Sequence, residues 1–176
     1  MEMPSFTDPY MREFARAMGE LKRSVTMWER FAPSEPFASG VPNADQRQWM
    51  NAVGLVEVWF STVLTYVNDI LEAIVIARMR QSESEDVGRH FMDFMESGAS
   101  QSLFSGWLVE RVREFDVLSQ EELASLLEAH LLNQEGVGEI SKSLEVIKRL
   151  VEFFEGLQHR LEELWQSVAG HDTGVQ

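Results

Sequence analysis

One stretch of the chain, residues 49–77, repeats its apolar side chains every three or four residues without a break. The repeating positions are Trp49, Val53, Val56, Phe60, Val63, Val67, Ile70, Ile74 and Ala77. This is the period of an α-helix, whereas a half-buried strand would alternate every two residues. The pattern predicts a helix from Asn43 to about residue 81, roughly 55 Å long at 1.5 Å per residue. Leu55, Trp59, Tyr66 and Ile76 widen its apolar surface almost all round, which is typical of a central, buried helix.

Two more segments, residues 8–31 and 139–169, carry the same spacing, and shorter helical patterns lie at 82–98, 103–115 and 119–131. In the first long segment one face of the helix, which we call its seam, carries Met11, Phe14, Met18, Leu21, Val25 and Trp28. The last has Ile140, Ile147, Phe154, Leu161 and Val168, one every seven residues. Since no segment alternates like a strand, the sequence predicts an all-α bundle of about six helices, three of them long and heptad-patterned.

The length of 176 residues suits one domain, and we expect residues 1–170 to form it and 171–176 to be a flexible tail. The chain has no cysteine, which excludes disulfides, thiolate catalysis and cysteine-based metal sites. Its 29 acidic residues against 15 Lys and Arg give a net charge of −14. Because phosphate contacts need clustered positive charge, direct binding to nucleic acid is not expected.

Neither the N-terminal residues nor the most apolar stretch of the sequence predicts membrane targeting. The N-terminal residues lack the basic and apolar regions of a secretory signal. The most apolar stretch, Ala52–Val67, carries Glu57 and is shorter than the ~20 apolar residues that a membrane span needs. We therefore expect a soluble, cytoplasmic protein without a membrane partner.

Methionine and aromatic residues are concentrated in the first helix, where Met11, Met18, Trp28 and Phe31 are the candidate interaction residues. Flexible and aromatic side chains of this kind suit a partner groove or a dimer seam. The alternative is that they pack on the chain's own core. Three long seams are more than one small bundle usually needs, so the sequence also predicts a homodimer.

Polar residues form a stripe along the otherwise apolar second helix, at Glu57, Asn68 and Glu72, with Ser61 and Thr65 between them. The stripe could line a pocket or an interface, or it could be the narrow solvent-facing strip of a buried helix. No metal-binding motif such as HExxH or the Glu-x-x-His of di-iron bundles occurs. The sequence therefore implies no cofactor.

One pair of residues, Glu155 and His159, could share a metal ion, because they lie one helical turn apart. Together with Glu57 and Glu72 they carry the enzyme alternative, a metal-dependent helical hydrolase. A single histidine with one carboxylate is only half of a metal site, and a solvated pair is the competing interpretation.

Residues 49–135 resemble the mannitol operon repressor family and the wider HEPN-like helical class. The likeness consists of a long apolar helix at 53–76, a short helix, a Ser/Gly-rich turn near 97–106 and the step Val117–Glu122 into the next helix. HEPN ribonucleases carry an Arg four to six residues before a His, and no Arg here stands at that distance. The resemblance thus implies a non-catalytic regulator that acts through protein contacts.

The interpretation that the sequence favours is a non-catalytic regulatory or protein–protein interaction module, acidic and dimeric, with a protein partner that could be basic. Two alternatives stay open. One is a metal-dependent or HEPN-like hydrolase. The other is an acidic protein that imitates DNA and inhibits a nucleic-acid-binding protein, since a body of net charge −14 could present that surface.

Overall fold

The computed structural model describes residues 8–31, 44–81, 102–136 and 144–173, and every regular element in them is an α-helix. The five helices are α1 (Asp8–Phe31), α2 (Ala44–Gln81), α3 (Gly106–Glu114), α4 (Gln120–Glu135) and α5 (Leu144–Thr173). The all-α class and the three long helices are as predicted. The count of six is not reached within the described residues, because the helix predicted at 82–98 lies outside them. α5 continues through Thr173, into the segment predicted to be a flexible tail.

The three long helices form the body of the protein, with α1 antiparallel to its two neighbours. The end of α1 meets the start of α2, where the Trp28 and Trp49 rings lie edge to face with centroids 6.5 Å apart. Lys22 on α1 pairs with Glu155 on α5 at 2.7 Å. A second pair, Lys148 of α5 with Glu29 of α1 at 3.0 Å, fixes the same antiparallel direction.

The core lies between these helices and is filled by the predicted seams. Phe14, Phe60 and Phe154, one from each long helix, are completely buried. The rings of Phe60 and Phe154 meet edge to face at 5.5 Å. Burying each such side chain stabilises the fold by about 1.5–3 kcal/mol, so the spacing of apolar residues largely determines how the long helices assemble.

Two serines define where the shorter helices begin. Ser105 caps α3, because its Oγ accepts a hydrogen bond from the Leu108 N–H at 3.3 Å. Ser119 and Glu122 form a complete capping box at the start of α4: the Glu122 N–H donates to the Ser119 Oγ at 3.0 Å, and the Ser119 N–H donates to the Glu122 carboxylate at 2.9 Å. The helical pattern at 119–131 predicted a helix here, and the structure confirms it.

α4 packs against α5 in the opposite direction, and two ion pairs mark their alignment. Arg149 pairs with Glu128 at 2.5 Å, and Arg160 approaches Glu122 at 3.7 Å. All four side chains are more than a quarter exposed. Because exposed ion pairs contribute only about 0–1 kcal/mol each, they fix the alignment of the two helices more than they stabilise it.

α3 lies along α2 in the same direction and is held at both ends by polar side chains of α2. The Phe104 N–H, just before α3, donates to the Asn68 Oδ1 at 2.8 Å. Just after α3, the Phe115 carbonyl accepts from the Arg78 guanidinium at 2.5 Å. Ten residues of α2 span about 15 Å, close to the length of α3 with its flanking residues. The two contacts therefore fix the register of α3 on α2.

The chain leaves α3 through a Schellman motif. The Val117 N–H donates to the Val112 carbonyl at 3.0 Å, and the Asp116 N–H donates to the Arg113 carbonyl at 3.2 Å. Asp116 has a φ of 51°, in the left-handed region that glycine usually occupies at this position. The motif turns the backbone sharply, so that Ser119 can start α4 after only a few residues.

Candidate interaction surfaces

α2 is apolar on two opposite sides, and only one of them faces the core. The side opposite the core is made by residues spaced three or four apart, so that they share one face of the helix. We call this the outer face of α2, and it comprises Arg47, Asn51, Leu55, Val58, Thr62, Thr65 and Asp69. Val58 is 57% exposed and Leu55 41%. A Cβ placed on the neighbouring Gly54 would meet no atom within 4 Å, so the middle of this face is open.

The charges of the outer face stand only at its ends. Arg47 and Asp69 are separated by 22 residues, about 33 Å of helix. Between them the face carries only uncharged side chains, in a chain whose net charge is −14. Among the described residues neither Arg47 nor Asp69 forms an ion pair, although the structure contains eight others. The outer face is therefore a neutral stripe with an unpaired cation and an unpaired anion at its two ends.

A second surface is a groove of about 400 Å³ along α5, beside the start of α4. Phe153, Gly156 and Leu157 form its apolar part, and the polar residues around it are Glu122, Glu152, His159, Arg160 and Glu163. A Cβ on Gly156 would touch nothing within 4 Å, so the glycine leaves the groove open. We call this the α4–α5 groove.

The carboxylates of the α4–α5 groove differ in what they already bind. Glu122 accepts the Ser119 N–H in the capping box and lies 3.7 Å from Arg160. Glu152 and Glu163 are exposed, and neither forms an ion pair with a described residue. With three carboxylates against one guanidinium, the groove has a net charge of −2 when His159 is neutral. It therefore combines an apolar floor with two free negative charges.

The four interaction residues predicted on α1 lie mostly inside the protein. Trp28 is 1% exposed, Met18 2% and Met11 8%, and all three belong to the core. Phe31, at the end of the helix, is half-buried, with the Arg30 guanidinium 5.4 Å from its ring centroid. These side chains therefore follow the alternative interpretation, in which the seam of α1 packs on the chain's own core, and they form no exposed docking face here.

The polar stripe predicted on α2 separates into three environments. Glu57 is exposed, Glu72 is half-buried and Asn68 is buried. Asn68 receives the Phe104 N–H and donates through Nδ2 to the Glu72 carboxylate at 3.2 Å. The stripe is therefore more than a solvent-facing strip, because its central member, Asn68, anchors the residue that precedes α3.

Burial changes the acidity of three groups beside this anchor. It raises the pKa of Asp69 and of Glu72, and hydrogen bonds from Asn68 only partly oppose the effect. Burial also lowers the pKa of His130, whose Nδ1 has no hydrogen-bond partner among the described residues. The His130 ring lies edge to face with Phe104 at 5.2 Å. Burial therefore favours the neutral form of His130, whose ring packs beside the entry to α3.

The residues that carried the enzyme alternative do not assemble into a metal site. The Glu155 carboxylate pairs with Lys22 on α1 at 2.7 Å, whereas His159 borders the α4–α5 groove. Within the described ranges, no three His, Asp or Glu side chains come close enough together to hold a metal ion. Glu57 and Glu72 lie on α2, on a different helix from both.

One helix, α2 from Gln46 to Gln81, is long and apolar enough to cross a membrane, with a mean hydropathy of 1.5 in its most apolar window. Half of that window is buried inside the protein. The core helix of a bundle has the same character, because it must be apolar towards every neighbour. Among the apolar residues of α2 that remain exposed are Leu55 and Val58 of the outer face.

Sequence reasoning missed both surfaces as sites, although each left a signal. The sequence pattern includes Leu55 in an almost all-round apolar helix, and the absence of charge at the positions in line with it between Arg47 and Asp69 is the sign of a side without a core contact. The α4–α5 groove needs two helices to meet, and a linear pattern does not contain that information.

Comparison with known protein families, with curated proteins and with solved structures gives no match to this chain.

Proposed function

We propose that the protein is a non-catalytic regulatory module of the cytoplasm, which works as a homodimer and binds a basic segment of a protein partner in the α4–α5 groove. The observation that carries the proposal is the pairing of an apolar floor with the free carboxylates of Glu152 and Glu163. The resemblance of residues 49–135 to the mannitol operon repressor family supports the regulatory role.

The chemistry of the groove selects a lysine or arginine side chain. Such a side chain has an apolar stem and a charged head, and it packs its stem on apolar surface while keeping the head near water. Phe153 and Leu157 offer that surface, and Glu152 and Glu163 stand beside it. Each exposed pair would contribute only about 0.2–1 kcal/mol, so a partner needs several basic groups to bind firmly.

The charge of the whole chain favours the same class of partner. A net charge of −14 repels nucleic acid and acidic proteins and attracts basic ones over a Debye length of about 8 Å at physiological salt. Electrostatic attraction of this kind chiefly raises the association rate. We therefore expect binding to weaken steeply as salt is added.

The test is a quantitative pull-down with purified, tagged protein from lysate of the source cells at moderate salt. The wild type is compared with Glu152→Gln/Glu163→Gln, which removes two charges from the groove. The matched control is Glu121→Gln/Glu135→Gln, which removes two exposed charges from α4 outside the groove. Because the two variants have the same net charge, a difference between them measures binding in the groove and not the effect of the overall negative charge.

We expect a basic protein to be recovered in equal amounts with the wild type and with the control, and in a clearly smaller amount with the groove variant. Recovery by all three proteins alike would contradict the proposal, as would partners that are not basic. A rise in the melting temperature with Mn²⁺ or Mg²⁺ alone would instead support the metal-dependent hydrolase.

A further inference from the structure

The outer face of α2 has the composition of an interface and no occupant among the described residues. Val58, its central residue, is the most exposed large hydrophobic side chain that the structure describes. Interfaces are depleted in charge at their centre and polar at their rim, and this face has Leu55 and Val58 at its centre and charges only at its ends. What pairs with such a face must itself offer an uncharged stripe of similar length.

A second copy of the chain meets that requirement, and the charges determine how it would lie. Arg47 and Asp69 stand eleven residues before and after Val58, about 16 Å along the helix in either direction. If two copies meet with their α2 helices antiparallel and a twofold axis at Val58, each Arg47 faces the Asp69 of the partner. A twofold interface repeats every contact, so the dimer contains this ion pair twice.

The opposite orientation brings like charges together. With the two helices parallel and in register, Arg47 meets Arg47 and Asp69 meets Asp69. Facing like charges disfavour a complex strongly. The same two residues therefore favour one orientation and oppose the other.

From this geometry we infer that two copies of the protein associate through the outer faces of α2, antiparallel and centred on Val58, with Arg47 of each copy paired to Asp69 of the other. The inference rests on the homodimer of the proposed function and names its interface. Asn51 would lie opposite Thr65, and Leu55 opposite Thr62, so no uncompensated charge is buried at the centre of the seam.

The first test is sedimentation velocity on the purified full chain from about 1 to 200 µM. The wild type is expected to form a dimer within this range. Val58→Asp puts two carboxylates face to face at the twofold axis and should weaken the dimer about ten-fold or more. The matched control is Leu131→Asp, which changes a residue of similar exposure (55%) on a different helix, α4, and should leave the dimer unchanged.

A charge-reversal experiment tests the orientation. Arg47→Asp alone and Asp69→Arg alone each create two like-charge contacts in the antiparallel dimer, so both should weaken it. When the two single variants are mixed, every contact in the heterodimer joins opposite charges, and association should return. In a parallel dimer the wild type already faces Arg47 with Arg47 and Asp69 with Asp69, so neither single variant would weaken it further and the double variant Arg47→Asp/Asp69→Arg would equal the wild type. Loss with both single variants, together with recovery in their mixture and in the double variant, therefore identifies the antiparallel dimer.

The outcomes separate the interface from the proposed function. A dimer that is unaffected by Val58→Asp overturns the inference and leaves the homodimer standing. A wild type that is monomeric throughout the range overturns both the inference and the homodimer. Partner capture by the α4–α5 groove is measured separately, so it survives or fails on its own.

Discussion

α1 and α2 are both long helices with an apolar seam, but they use their apolar residues differently. On α1 the buried face ends where a charged face begins, with Arg12, Arg16 and Lys22 on the exposed side. On α2 the outer face carries no charge between Arg47 and Asp69, although Glu57 is exposed beside it. The comparison teaches that regularly spaced apolar residues identify a helix of the core. Apolar residues that stay exposed after the core has formed identify a candidate interaction surface.

The largest expected difference in unfolding free energy is between a buried residue of α1 and an outer-face residue of α2. Trp28→Ala removes a side chain that is 1% exposed and should cost about 3–5 kcal/mol of unfolding free energy. Val58→Ala, at a position that is 57% exposed, should stay within about 0.5 kcal/mol in the monomer. Urea unfolding at low protein concentration measures both, and equal losses would break the distinction between the two helices.

A stability loss of intermediate size is expected at Asn68, which lies between the core side and the outer face of α2. Asn68→Ala leaves the buried Phe104 N–H without its acceptor and should cost about 1–3 kcal/mol. The comparison variant is Thr65→Ala, an exposed neighbour whose hydroxyl bonds only to the Ser61 carbonyl of its own helix. If Asn68→Ala were as mild as Thr65→Ala, the anchoring of α3 by α2 would be disproved.

The smallest effect concerns Asp69 and depends on pH. Burial raises its pKa above the usual 3.8, so the folded chain favours the protonated carboxyl. When Asp69 is ionised, the free energy of unfolding is therefore lower than when it is protonated, and this difference is the cost of the charge. That cost is absent below the pKa of the unfolded chain and is fully present above the pKa of the folded one. Asp69→Asn should therefore stabilise the monomer at neutral pH, and the gain should fade on acidification towards pH 3.8.

The same substitution should act in the opposite direction on the dimer, because it removes the partner of Arg47. Thermal unfolding at low concentration, followed across the pH range, isolates the effect on the monomer. Sedimentation at high concentration and neutral pH isolates the effect on association. A change of the same sign in both would mean that Asp69 takes no part in the seam.

The sequence predicted the long helices because helical periodicity is a local property. Residues such as Phe60 and Ile74 repeat on one face whatever their partner is, and the capping box at Ser119 is complete within four residues. The sequence left open what covers Trp28 and Met18, because the spacing of apolar residues does not show their partner, and the fold buries both in the core of the chain. It left the role of Asn68 open, since its partner Phe104 is 36 residues away.

The charges of the α4–α5 groove and those at the ends of the outer face could not be assigned from the sequence for the same reason. Glu152 and Glu163 form no ion pair with a described residue, whereas Glu155 and Glu128 pair with cations of distant segments. Which charges remain unpaired is decided by tertiary packing, and composition gives only their total.

The antiparallel arrangement of α1 with α2 and α5 has a consequence for the order of folding. α1 and α2 are neighbours along the chain, so their contacts close short loops and we expect them to form early. The pairs of α1 with α5, such as Lys22 with Glu155, close loops of more than a hundred residues and come late. Pulse-labelling hydrogen exchange would detect this as early protection of the first two long helices alone. Until α5 arrives, the part of α2 that packs on α5, including Phe60, is uncovered together with the outer face, and the growing polypeptide is then at its most prone to aggregate.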